Sequence, residues 1–306
     1  MEEKIICRVL TGPTASGKTA LALRLAEEMG WSILSMDSMQ IYRGMDIGTA
    51  KPSAAERLRV RHHLIDIRDP EEAFSVADYL EEALNTINRL HDEGKEFLFV
   101  GGTGLYLQAL MHPMHLGSVP ANEALRAELM EESLKPDGRK LLHDRLASID
   151  PETASRLHEN DSRRVIRALE VSMVTGIPFS AQPAPTEAES PFLWKVVSTS
   201  MPRPMLYDRI NTRVDDMLRN GLEDEVRGLI SRGVPDTAQS MQGLGYNETI
   251  PCIHGETPPE LARKQIQTGT RHYAKRQMTF FRREPGIRYV DVTEKDAYGQ
   301  IRQMLA

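Results

Sequence analysis

Residues 12–19 read GPTASGKT, and this octet constrains the fold of the 306-residue chain more than any other stretch. The spacing G-x-x-x-x-G-K-T makes a phosphate-holding loop when a strand leads in and a helix leads out. Both signals are present. The apolar run Ile5-Ile6-Cys7-Arg8-Val9-Leu10 precedes the octet, and the helical pattern Ala20-Leu21-Ala22-Leu23-Arg24-Leu25-Ala26 follows it. Glycines let consecutive N–H groups converge on phosphate oxygens, and the helix N-terminus adds a favourable dipole. Gly12, Pro13, Thr14, Ala15, Ser16, Gly17, Lys18 and Thr19 are the expected phosphate-binding residues. Lys18 would supply a point charge and Thr19 a hydroxyl for Mg²⁺, directly or through water. The octet is of the nucleotide-binding type, yet it does not say whether the phosphate belongs to a nucleotide.

Strand and helix signals alternate over residues 1–112. Ile5–Leu10, Trp31–Met36, His63–Asp66 and Phe97–Val100 read as strands, and Lys18–Met29 and Ser75–Glu93 as helices, the latter opened by the capping pair Ser75 and Asp78. Such alternation implies an α/β fold with a parallel sheet flanked by helices, a phosphate-loop NTPase-like core. Ligands of such sheets collect at the carboxyl ends of the strands. Three motifs sit there: the octet, Asp37 after Trp31–Met36, and Gly101-Gly102-Thr103-Gly104 after Phe97–Val100. From residue 113 to 190 helical patterns follow one another without a clear strand (122–134, 139–149, 151–158, 161–174), closing on Gln182-Pro183-Ala184-Pro185-Thr186. This reads as an all-helical insertion domain within a core made of 1–112 and 191–306. Trp194–Ser200 then looks like a returning strand, and long helices are expected over 205–232 and 258–283.

Two cysteines, Cys7 and Cys252, cannot build a disulfide framework, and the start Met1-Glu2-Glu3-Lys4 lacks a basic leader. The longest charge-free stretch, Phe97–His112, is too short to span a bilayer. A soluble, cytoplasmic protein without membrane attachment is the expectation. Net charge is −6, which disfavours indiscriminate nucleic-acid binding, but the charge is segregated. Between Arg263 and Arg283 stand seven Lys or Arg and no Asp or Glu, leaving −13 for the rest. On a helix Arg271, Lys275 and Arg282 share a stripe, with Arg276 and Arg283 on the next. A solvated face usually interleaves carboxylates, so this segment reads as a footprint for a polyanion.

Asp37 opens the stretch DSMQIYRGMDIGTAKP (residues 37–52). An aspartate at a strand end could order the magnesium hydration shell or act as a base toward a second substrate. Ser38 and Gln40 suit hydrogen bonding to a flat polar ligand, since Gln pairs bidentately with adenine edges. Together GPTASGKT, DSMQIYRGMDIGTAKP, FVGGTGLY, RINTRVDDML, MQGLGY and TRHYAKRQMTFFRR stand in the order and spacing that resembles the bacterial tRNA dimethylallyltransferase family (tRNA isopentenyltransferases, IPP transferases). The likeness runs to about residue 290.

That resemblance implies transfer of a dimethylallyl group from dimethylallyl diphosphate to N6 of the adenine just 3′ of the anticodon, with release of diphosphate. The octet would hold the diphosphate, with Mg²⁺ near Thr19. Arg213 matches the family's R-x-x-x-R-x-x-x-M stretch, with Arg209 one turn before it. Asp37 resembles the general base, and Thr103 the residue that touches the target base. The tRNA anticodon stem-loop would meet Asp37, Ser38, Met39 and Gln40, then Thr103, then Asp161, Ser162, Arg163, Arg164 and Val165. It would also meet Gln242, Gly243, Gly245 and Tyr246, and Lys275, Arg276, Gln277, Thr279 and Arg282. Arg163, Arg164 and Arg167 form a second basic cluster, with charge pairing to Glu170 as the plainer explanation. Asn247 stands where many relatives carry a basic residue, a departure that puts one phosphate contact in doubt. No Cys/His finger follows the last helix, as it does in eukaryotic relatives. No obligate protein partner is expected.

Other readings exist. A phosphate-loop nucleotide or small-molecule kinase would use the same octet, but would place its arginines in a lid rather than a C-terminal helix. A non-catalytic RNA-binding protein would not need Gly12, Gly17, Lys18, Thr19 and Asp37 intact. Prenyl transfer to a free adenine nucleotide would need neither the insertion nor the basic helix. His62 and His63 suggest a metal, but neighbours on a strand point to opposite faces.

Overall fold

The computed structural model describes residues 4–112, 122–182 and 191–306. Two compact units emerge, one from Met1–His112 with Glu189–Ala306 and the other from Pro113–Ala188. In the first unit the order is β1 (Ile5–Thr11), α1 (Lys18–Met29), β2 (Ser32–Met36), α2 (Ala54–Arg59), β3 (His62–His63), α3 (Val76–Asp92), β4 (Phe97–Gly101) and α4 (Gly104–Met111). The second unit holds α5 (Glu123–Leu134), α6 (Gly138–Ile149), α7 (Pro151–Arg156) and α8 (Ser162–Thr175). The first unit resumes with β5 (Phe192–Ser200), α9 (Arg203–Arg219), α10 (Leu222–Ser231), α11 (Tyr246–Ile253), α12 (Pro259–Arg283), β6 (Arg288–Asp291) and α13 (Ala297–Leu305). Of the expected loop at 182–186, residues 183–186 lie outside the described residues.

The six strands form one sheet in the order β3-β2-β4-β1-β5-β6, and every pairing is parallel. A sheet covered on both faces needs strands that are mostly apolar on both, which is why β1, β2 and β4 are rich in apolar residues. Leu10, Leu98 and Val197 pack on one side with Leu25 of α1 and Ile301 of α13. Val9, Phe99 and Val196 pack on the other with Tyr79 and Ile87 of α3 and Leu229 of α10. Leu10 is fully buried, so Leu10→Ala would cost about 2–5 kcal/mol. The second unit has its own core, built on Leu129, Leu142, Leu146 and Leu169. No helix among the described residues is long and apolar enough to cross a membrane.

Three expectations need correction. The strand expected over His63–Asp66 covers only His62–His63, because Leu64 and Asp66 take φ of 61° and 54°. Those values lie outside the strand region of φ/ψ space. Asp66 is instead held by Lys51 and Arg57 at 2.6 and 2.5 Å. The helix expected over 205–232 is two helices, α9 and α10, parted at Asn220-Gly221, where Gly221 has φ 98°. The pairing of β6 with β5 and the docking of α13 had no expectation at all.

Candidate active site

The carboxyl ends of β1, β2 and β4 open on one cavity. Thr14, Lys18 and Thr19 line it from the phosphate loop and α1, Asp37 from the end of β2, and Gly101 and Gly102 from the end of β4. Arg213 of α9 and Tyr273 of α12 close it from the far side. The three strand-end motifs thus meet, as the sheet's topology requires.

The loop is pinned from behind. The Thr199 hydroxyl donates to the Thr11 carbonyl at 3.2 Å, so the Ser16 hydroxyl, 2.7 Å away, must donate to Thr199. Lys18 Nζ donates to the Pro13 carbonyl at 3.2 Å. Burial pulls its pKa down to about 8, the Arg213 cation pushes the same way, and Asp37 opposes both. Burial likewise lowers the Arg213 pKa while Asp37 supports its charge, and a guanidinium stays protonated regardless. Arg209 is exposed, and its Nη1 lies 3.4 Å from where a side chain on Gly17 would begin. Two cations therefore share Asp37, and Arg209 adds a third near Gly17 at the rim. That imbalance is what an anion site needs.

Asp37 Oδ1 accepts the N–H groups of Met39 at 2.9 Å and Gln40 at 3.3 Å, a turn that fixes the carboxylate and leaves Oδ2 to act. Thr103 N–H donates to the Met36 carbonyl at 3.2 Å, and its hydroxyl oxygen accepts the Ser38 N–H at 3.1 Å. Asp37 and Thr103 are held in one frame by these bonds. Met39 packs against Gly243, so the 37–40 turn also touches the 242–247 turn. Behind them Glu225 accepts the N–H groups of Asp46, Ile47 and Gly48 at 2.8, 2.8 and 3.1 Å. Lys51, buried, pairs with Asp46 and Asp66 at 2.7 and 2.6 Å. Neither Glu225 nor Lys51 was expected in a supporting role. Three consecutive N–H groups need an acceptor, but nothing local names a residue almost 180 positions away.

Several residues expected on the RNA are turned inward. Gln40 is saturated: its Oε1 accepts from Ser35 at 3.0 Å, and its Nε2 donates to the Thr49 and Ala50 carbonyls at 3.3 and 3.4 Å. It has no amide edge left for adenine. Tyr246 is buried, donating its hydroxyl to Glu225 at 2.5 Å, and Gly243 and Gly245 are buried beside it. Val165 belongs to the core of the second unit. Gln277 is buried against the phosphate loop. Gln242, Asn247, Lys275, Arg276, Thr279 and Arg282 are exposed, as are Arg163 and Arg164 of α8; Asp161 and Ser162 are half-buried.

The basic stripe divides in two. Arg263 makes a two-pronged ion pair with Asp215 of α9 at 2.7 and 2.9 Å, and Arg271 donates to Asn211 at 2.9 Å. Both are bonded to α9 and are only partly exposed. In the second unit Arg167 and Arg126 pair with the buried Glu170 at 2.7 and 2.9 Å, so Arg167 leaves the exposed cluster. Among the described residues no group of three His, Cys, Asp or Glu could hold a metal. His62 Nδ1–H donates to the Val60 carbonyl at 2.8 Å, while His63 accepts from Arg89 at 3.3 Å.

Known proteins resemble the chain in sequence and in fold. Residues 40–284 match the family model described as IPP transferase. The chain is 47% identical to the tRNA dimethylallyltransferase of Geobacter metallireducens, over 96% of this chain and 95% of that one. The crystal structure of full-length tRNA isopentenylpyrophosphate transferase from Bacillus halodurans is similar at 42% identity and a TM-score of 0.72, covering 99% and 95% of the two chains. A eukaryotic dimethylallyltransferase solved acting on tRNA is similar at 26% identity and a TM-score of 0.79, covering 98% of this chain and 78% of that one.

Proposed function

Because this chain belongs to the IPP transferase family, we propose that it transfers a dimethylallyl group from dimethylallyl diphosphate to tRNA, at N6 of the adenine immediately 3′ of the anticodon. One observation carries the site assignment: a phosphate loop whose Lys18 and Arg213 share the single carboxylate Asp37, beside Thr103. The N6 amine attacks the allylic carbon, the carbon–oxygen bond to diphosphate breaks, and the proton shed by nitrogen passes to Asp37. Negative charge grows on the leaving diphosphate, where preorganised donors count most; one such donor is worth about 3–4 kcal/mol. Loop amides, Lys18, Arg213 and Arg209 supply it. Thr103 positions the base through the frame that also holds Asp37.

Thr19 offers one exposed hydroxyl on this cavity. Mg²⁺ takes oxygen ligands and is commonly held by one or two protein groups plus substrate phosphates, so the site fits it. Bound there, Mg²⁺ would neutralise diphosphate charge. The anticodon stem-loop is bound by the exposed residues Gln242, Lys275, Arg276, Thr279 and Arg282, and by Arg163 and Arg164. Splaying the target adenine costs a few kcal/mol, which the pocket must return. The cytoplasm is the proposed location.

Radiolabelled dimethylallyl diphosphate incubated with bulk unmodified tRNA tests the reading. Label should enter RNA with stoichiometric diphosphate release. ADP release from ATP with no label in RNA would instead establish a kinase.

A further inference from the structure

α12 presents two faces, and one inward side chain spans both halves of the reaction centre. Gln277 is only 5% exposed, in phase with the buried Ile266, Ala274 and Phe281. Its Oε1 accepts the Thr14 N–H of the phosphate loop at 2.9 Å. Its Nε2 donates to the Gly102 carbonyl, in the turn that carries Thr103, also at 2.9 Å. The orientation of the amide is forced, because a backbone N–H only donates and a carbonyl only accepts. The fit is close: a Cβ on Gly102 would lie 2.2 Å from Gln277 Nε2. The Tyr273 side chain interacts with both Thr103 and Gln277 from the preceding turn.

Resting on the prenyl-transfer reading, we propose that Gln277 is a positioning residue that holds the diphosphate cradle in register with the acceptor-side turn. The loop sets the leaving group, and the Gly102–Thr103 turn sets the nucleophile. The Gln277 amide is a rigid link between them, with two bonds of opposite polarity. Lys275, Arg276 and Thr279 are exposed on the outer face of the same helix, so RNA bound there acts on a helix already bonded to both turns. Gln277 itself touches no RNA. Phe280 packs against Gly104 independently of the amide, so α12 stays docked when the amide is changed.

Two variants test this. Gln277→Leu removes both bonds, and Gln277→Glu keeps the acceptor and loses the donor. Gln277→Leu should lower kcat roughly 10- to 10²-fold, since misplacement of about 1 Å costs that order. It should also raise KM for dimethylallyl diphosphate while tRNA Kd stays within about twofold. Gln277→Glu has a distinct signature. Below the pKa of the new carboxyl its O–H donates to Gly102, so its deficit relative to wild type should shrink as pH falls from about 8 to 5.5. Unchanged kcat at saturating tRNA with weakened tRNA binding would make Gln277 an RNA contact and overturn the proposal. So would a pH-independent deficit in Gln277→Glu, which also decides the case if Gln277→Leu does not fold. Calorimetric titration with inorganic diphosphate alone separates this from the functional reading. Wild type that binds diphosphate but prenylates no RNA refutes the reading. Equal diphosphate affinity in wild type and Gln277→Leu refutes the link.

Discussion

The cavity at the strand ends and the basic helix α12 both concentrate positive charge, and they use it in opposite ways. In the cavity Lys18 and Arg213 converge on one carboxylate, Asp37, and burial works against both charges. They are held short of neutralisation by the fold, and an entering diphosphate completes them. On α12 the seven basic residues divide by face. Arg263 and Arg271 are spent on Asp215 and Asn211 of α9, whereas Lys275, Arg276 and Arg282 stay exposed. Charge that is buried and under-compensated marks chemistry, and charge that is exposed and uncompensated marks docking. Charge that finds a partner across a helix pair is architecture.

The largest effect should come from the one group both cavity cations share. Asp37→Asn keeps the turn's acceptor oxygen and removes the base, so the single-turnover rate should fall roughly 10²-fold or more. tRNA affinity should hardly change. A rate within about threefold of wild type would falsify the general-base role. Next comes the pH dependence of Lys18. With its pKa lowered to about 8, the ammonium is charged below that value and loses its proton as pH rises through it. KM for dimethylallyl diphosphate should be level below about pH 8 and climb by up to about tenfold per unit above it. Lys18→Arg, charged throughout, should abolish the climb even if its absolute affinity is worse. A climb that persists in Lys18→Arg would assign the titration to another group.

The contrast between the two regions also explains what could be read in advance. The phosphate loop, Asp37 and the Gly102–Thr103 turn were legible because each follows a strand signal directly, and a parallel sheet brings strand ends together. Arg263 was misread because its partner lies 48 residues earlier, on another helix. Gln277 was misplaced although its signal was there: it shares the helical period of Ile266, Ala274 and Phe281. A polar side chain in an apolar phase means a buried hydrogen-bond duty, because an unsatisfied amide there would cost about 1–3 kcal/mol. Tyr246 and Gln40 fall under the same physics, since both are polar residues bonded inward. The Glu225 cradle had no such signal, since nothing near it in sequence announces three waiting N–H groups.

The two faces of α12 can be tested against each other, with smaller effects. Replacing both Lys275 and Arg282 with Ala should weaken tRNA binding and flatten the plot of log K against log salt by up to about two units. kcat at saturating tRNA should move little, because neither side chain lines the cavity. Arg263→Ala is the smallest expected change and the sharpest control. It removes the same charge from the same helix, so a view based on net charge alone predicts a loss of about one unit of slope. The observed pair with Asp215 predicts none, because a cation already neutralised releases no counterion. It predicts a small loss of stability instead. Both side chains are about a third exposed, and solvent screening leaves an ion pair of that kind little net stabilisation. Tm should fall by a degree or two, roughly, and the salt slope should match wild type. A slope flattened as much as in the double variant would mean that Arg263 leaves Asp215 for the RNA, and that the division of the helix into a docking face and a structural face does not hold.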